Sequence, residues 1–179
     1  MLLTKQICSA VFALTLGLGA WAPSAIAQTT TALDAFLGTW KINLERSKMG
    51  RAGPNGVQTR RSNTFTWVFT PEHSGLRMDI YAEFPAPAPT KTLVMNPDGK
   101  QHVCEMKESC LSSPGDPSEQ SYAVSKVNSN VLVRVFQVRG ENVEYNVYAV
   151  SEDGKSFVAT SWNPQSPEFQ NVQVFERQP

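Results

Sequence analysis

Phe36-Leu37-Gly38-Thr39-Trp40-Lys41-Ile42-Asn43 is the stretch whose reading decides the fold. Gly38 has no Cβ, so the backbone there can bend sharply or approach a neighbour closely. Beyond it, Trp40 and Ile42 share one face of a strand, and Thr39, Lys41 and Asn43 share the other. A tryptophan so early on the inward face is a large core residue able to plug one end of a small barrel. Just upstream, Leu33 to Phe36 reads as one apolar helical turn leading into the strand.

Further upstream, Lys5 gives a short basic start and Val11 to Ala20 an apolar run. Pro23-Ser24-Ala25-Ile26-Ala27 then presents a small-residue cleavage pattern. Residues 1–27 therefore read as a signal peptide, too short and wrongly flanked for a membrane span. Export to the periplasm or beyond follows as an expectation, with cleavage near Ala27 and no membrane anchor. Residues 28–179 are expected to fold as a single β-barrel domain. Without Lys5, 15 basic side chains face 16 acidic ones. So balanced a chain offers no basic field for nucleic acid.

Downstream of Asn43 no long helical period appears. The polar, Gly-rich segment from Leu44 to Arg61 reads as a loop across one mouth of the barrel. Phe65, Trp67 and Phe69 share one face, with threonines mostly on the other. After a turn at Pro71 to Gly75, Leu76, Met78, Ile80, Ala82 and Phe84 do the same, predicting a hairpin. Pro85 to Pro89 lacks the donors of a central strand. Asn96-Pro97-Asp98-Gly99 is a turn between Thr90–Met95 and Gln101–Cys104. Further strands are predicted at Gln120–Val127, Val131–Arg139, Val143–Val150, Ser156–Trp162 and Gln170–Arg177. Short connections force antiparallel neighbours, and so many short strands leave sticky edges unless the sheet closes. The expected fold is all-β: a closed antiparallel up-and-down barrel of about 8–10 strands. A two-sheet sandwich is the alternative.

Cys8 falls in the leader, leaving Cys104 and Cys110 as an even pair in an exported chain. Their spacing suits a disulfide across a short loop. A redox pair would want C-x-x-C spacing, and a zinc site would want more ligands than these two and His102.

Gly38-Thr39-Trp40 after a short turn resembles the G-x-W signature of the lipocalin (calycin) superfamily. The longer opening from Phe36 to Asn43, followed by Ser47-Lys48, is similar to small exported bacterial lipocalin-like proteins of unassigned function. Asp153-Gly154-Lys155 and the closing Phe175-Glu176-Arg177-Gln178 extend that likeness to the other end of the chain. The T-D-Y-type lipocalin motif is absent. The resemblance implies that Arg177 on the last strand packs over Trp40, a cation–π contact of roughly 0.5–2 kcal/mol that would seal the barrel. Gly38, Trp40 and Arg177 are thus structural candidates.

No catalytic motif stands out. His73 lies in a turn and His102 near the cysteine loop, and neither nucleophile nor phosphate-loop patterns occur. The reading is of a non-enzyme with no metal and no cofactor. Phe65, Trp67, Phe69, Met78, Tyr145 and Trp162 are expected to line an inward face able to hold a small hydrophobic or amphipathic ligand. Arg134 sits between Val133 and Val135 on the face of Leu132 and Phe136. Pointing inward, it would pair with a ligand carboxylate beside Tyr148; pointing outward, it would be a surface charge. A filled core with no pocket would instead suit a protein-interaction module, such as a protease-inhibitor-like barrel with an unknown protein partner.

Overall fold

The computed structural model describes residues 33–53, 56–59, 64–104 and 116–179. The expected leader and Cys110 lie outside them. Twelve strands follow in order: β1 (Gly38–Lys48), β2 (Gly50–Gly53), β3 (Gly56–Thr59), β4 (Thr66–Glu72), β5 (Gly75–Tyr81), β6 (Lys91–Met95), β7 (Asp98–Val103), β8 (Gln120–Asn128), β9 (Val131–Val138), β10 (Glu141–Val150), β11 (Ser156–Asn163) and β12 (Ser166–Arg177). Leu33–Phe36 is a turn closed by Phe36 N–H donating to the Leu33 carbonyl.

Ten of the strands form one antiparallel sheet in the order β6-β5-β4-β1-β12-β11-β10-β9-β8-β7, and β2 pairs only with β3. Chain neighbours are sheet neighbours almost throughout, as tight turns require. The ladder β1–β12 joins the two ends of the chain, with Trp40 opposite Arg177 and Ile42 opposite Phe175.

The sheet curls strongly. β4 and β10 are four ladder steps apart, which on a flat sheet is about 19 Å. Yet the rings of Trp67 and Tyr148, one on each, lie 6.3 Å apart. The inward faces have therefore met across the interior.

The expected closure is not made. No ladder joins β6 to β7, although only Asn96 and Pro97 separate them. Pro97 has no N–H to donate, and each edge strand is held by its other neighbour, β6 by β5 and β7 by β8. Gly75 shows how tightly: a Cβ there would run into the Met95 carbonyl. The result is an incomplete barrel with a seam.

Three boundaries also differ from expectation. β1 runs on to Lys48 through an irregularity between Asn43 and Lys48, and the expected loop after it carries the β2–β3 hairpin. β5 stops at Tyr81, leaving Phe84 half-exposed beside the Tyr81 ring rather than inward. β12 begins at Ser166 rather than Gln170.

One end of the interior is plugged. Phe36 is fully buried and its ring meets those of Phe69 and Phe157. Trp40 is fully buried too, donating from Nε1 to the Phe36 carbonyl at 2.7 Å. The Arg177 guanidinium lies over the Trp40 ring at 4.2 Å. It also donates to the carbonyls of Gly154, Leu37 and Ala35. Gly38 stands at φ 115° with its Cα facing that guanidinium, a place where a side chain would be both strained and crowded.

Trp40→Ala removes the ring on which the N-terminal turn, β12 and β11 all rest. It is expected to cost roughly 3–5 kcal/mol, read as a large fall in melting temperature by circular dichroism; an unchanged melting curve would take Trp40 out of the core.

Candidate functional site

Inward-facing residues divide the interior into two halves. Towards the plugged end the aromatic rings pack directly on one another: Trp67 on Phe175 at 4.4 Å, Phe157 on Phe175 at 5.3 Å, Phe69 on Phe157 at 5.6 Å. Met78 and Leu93 are fully buried beside them. Towards the other end, Phe65, Ile80 and Val138 are only partly buried against this core. Polar residues Glu144, Ser161 and Gln173 are likewise half-exposed. The Met49 sulfur, just before the β2–β3 hairpin, receives the Gln173 amide at 3.7 Å.

Between the halves sits Arg134, with no exposed surface. β9 places it there by simple alternation, since Leu132, Arg134 and Phe136 share the buried face. Charge cannot be buried without compensation. Here the Glu144 carboxylate lies 3.6 Å from Nη1, and the Phe136 and Tyr122 rings lie 5.2 and 5.9 Å from the guanidinium carbon. Tyr148 hydrogen-bonds with the same guanidinium. Asn146, itself buried, donates to Glu144 at 2.8 Å. A polar centre is thus set into an apolar interior.

Burial pushes the Tyr148 phenol up to about 12, partly offset by the positive charge of Arg134. The Trp67 indole N–H is also buried, and it has no hydrogen-bond partner among the described residues. Leaving a buried donor unsatisfied costs roughly 1–3 kcal/mol.

Of the residues expected to line the interior, Trp67, Phe69 and Met78 lie in the core, Phe65 packs on its open side, and Arg134 points in. Tyr145 and Trp162 do not join them. They stack on each other at 5.4 Å with rings 14° apart, on the outward face of β10 and β11. The reason is local. β10 turns Asn146, Tyr148 and Val150 inward, so Tyr145 and Val147 go outward, while Val143, at an irregularity in the β9–β10 ladder, packs against the core. Glu144, Asn146 and Tyr122 were missed as site residues. The usable signal was that they share the parity of Tyr148 and face Arg134 across known turns.

His73 sits in the β4–β5 turn against Glu72, and His102 stacks on Tyr122 while bonding to Asp98. Among the described residues no group of His, Cys, Asp and Glu is arranged to hold a metal. Nor is any described helix long and apolar enough to cross a membrane. A separate cavity of about 290 Å³ opens at the plugged end, between Leu33, Leu37, Pro71, Leu76, Pro97 and Lys126. None of the expected ligand residues lines it.

No protein-family model matches the chain, and no curated protein matches it. Solved structures do resemble it. A fatty-acid-binding protein of Schistosoma mansoni, in complex with arachidonic acid, aligns with a TM-score of 0.51 at 13% identity, over 83% of this chain and 99% of that one. Fatty-acid-binding protein 1 of Echinococcus granulosus gives 0.50 at 13%, over 82% and 99%. A secretory abundant heat-soluble protein of Ramazzottius varieornatus gives 0.52 at 11%, over 80% and 96%. At these identities the likeness is one of fold alone, a curled antiparallel β-sheet wrapped into a barrel-like shape.

The raised Tyr148 pKa has a consequence for stability. A phenol held protonated by the fold contributes fully below its unfolded value near 10, and the contribution of about 2–3 kcal/mol is lost as pH rises from there to about 12. Ultraviolet titration at the phenolate band is expected to show one tyrosine ionising near pH 12, absent in Tyr148→Phe. A wild-type curve without that late step would contradict the buried placement.

Proposed function

We propose that this chain is an exported carrier of a small amphipathic molecule, held in the open half of the barrel. The observation that carries the reading is the buried Trp67 indole N–H, which lacks an acceptor among the described residues, in the interior that also holds Arg134 and Glu144. A ligand oxygen would supply that acceptor, and the half-exposed Phe65, Ile80 and Val138 would receive an apolar body. The acidic head of such a ligand would take the place of Glu144 at the Arg134 guanidinium. Glu144 is free to yield it, since about a third of its side chain is exposed.

The fold neighbours support this reading: two are fatty-acid-binding proteins, one of them seen with arachidonic acid. Residues 1–27 would be removed on export, leaving 28–179 as one domain of the bacterial lipocalin-like kind in the periplasm or outside the cell. A Cys104–Cys110 bridge would brace the chain beyond β7 in that oxidising compartment. The role is binding rather than catalysis, with no cofactor, because the polar centre offers an exchangeable ion pair and no activated nucleophile.

Titration with dodecanoate, followed by tryptophan fluorescence on protein purified without detergent, tests the proposal. Saturable binding is expected for dodecanoate and weaker binding for dodecanol. Glu144→Gln is expected to tighten dodecanoate by about tenfold, the effect of removing a competing carboxylate worth roughly 1.4 kcal/mol. Absence of saturable binding by either amphiphile to wild type would end the carrier reading.

A further inference from the structure

The outward face of the same half-barrel is unusual for a surface that meets water. Antiparallel alternation normally leaves polar residues outside. Here the ladder registers set Ala123, Val135, Tyr145, Trp162 and Gln170 side by side in one row across β8 to β12. The next row runs Ser125, Val133, Val147, Thr160 and Val172. A third, across β9 to β12, runs Val131, Ala149, Val158 and Val174. No charged side chain falls within these three rows. Val133, Val135, Val147, Val158 and Val172 are only partly shielded and lie outside the apolar core cluster. The outer face of β4 to β6 is the contrast: it carries the Arg77–Asp79 ion pair, with Thr92 bonded to Asp79.

We propose that this face packs against the same face of a second copy of the chain, making a two-fold dimer of sheets back to back. Three observations favour a second copy over other occupants. The first is charge. A two-fold axis brings each residue near its own symmetry mate, so any charge close to the axis would meet itself. This face has none to repel. The second is area. Five strands at about 4.8 Å and three rows along them give a footprint of roughly 24 by 18 Å. The relief of the side chains, with half-buried Gln137 beyond the first row and Asp98 and Lys48 flanking the ends of the second, raises the accessible area towards the 600–800 Å² a side of a specific dimer. The third is a preformed anchor. Tyr145 and Trp162 are stacked, and the Tyr145 hydroxyl accepts from Asn142, which in turn accepts from Gln137. Rigid aromatic residues of this kind are enriched at interface centres. A lipid surface fits less well: the three rows hold no Lys or Arg for headgroups.

Sedimentation equilibrium of the protein expressed from its full sequence tests the proposal, across micromolar to millimolar concentration. Wild type is expected at twice the monomer mass, and equally so in high salt, since no ion pair holds the interface. Val147→Lys, at the middle of the face, is expected to abolish the dimer while leaving the circular dichroism and melting temperature unchanged. Thr70→Lys on the opposite outer face is expected to leave the dimer intact. A monomeric wild type throughout the range overturns the proposal, as does a Val147→Lys variant that folds and still dimerises. So does a monomer that co-sediments with neutral phosphatidylcholine vesicles, which would give the face to a membrane instead.

Discussion

Arg177 fixes the start and the finish of the chain at one point. Its guanidinium lies 4.2 Å over Trp40, and its three nitrogens donate to carbonyls of the N-terminal turn and of the β11 approach. Burial lowers its pKa, yet an arginine so far above neutral stays charged. The contact therefore combines cation–π attraction with a planar fork that a lysine could not reproduce. Because Trp40 and Arg177 are directly paired across β1 and β12, this one site sets the register of the ladder that holds the two halves of the sheet together. Without that ladder the sheet would fall into two smaller ones, β6-β5-β4-β1 and β12-β11-β10-β9-β8-β7, with four edges between them.

The seam between β6 and β7 is tolerable for the same reason. A sheet of ten strands with an intact β1–β12 ladder needs only enough curvature to bury its inner face. The rings of Trp67, Phe157 and Phe175 supply that curvature by meeting in the middle. Backbone closure would add a few hydrogen bonds at the seam, each worth only about 1 kcal/mol net. The apolar burial inside is far larger in aggregate.

Much of the architecture was legible because β1, β4 and β5 obey strict alternation: Trp40 with Ile42, Phe65 with Trp67 and Phe69, and Leu76 with Met78 and Ile80 sit where the two-residue period puts them. The ends of the strands were less legible. The run from Ala82 to Phe84 continues the pattern in sequence, but the chain leaves the sheet before it reaches the proline segment. The candidate site was half legible. Arg134 could be placed with Leu132 and Phe136, yet the sequence could not choose between the two faces of β9. On β10 the period misleads, since Tyr145 and Val147 are more apolar than Glu144 and Asn146 and still point out, and an irregularity between Asn142 and Glu144 turns Val143 to the core.

That inversion has a single physical origin. Across β9 to β11 both faces of the sheet carry apolar residues, large ones included, since Tyr145 and Trp162 stack on the outside while Val150 and Ala159 lie in the core. Leu132, Phe136, Tyr148 and Phe157 fill the interior, while the β-branched Val133, Val135, Val147 and Val158 form the flat exterior. Large rings are needed to span a barrel; compact β-branched residues suit a surface that packs against another sheet. The interior of this half can then accept Arg134, Glu144 and Asn146, because folding does not rely on that face alone for its apolar burial. Reading polarity by itself turns these strands inside out; the ladder registers, which set Glu144 beside Phe136 and Asn146 beside Arg134, put the polar centre inside and the valines outside.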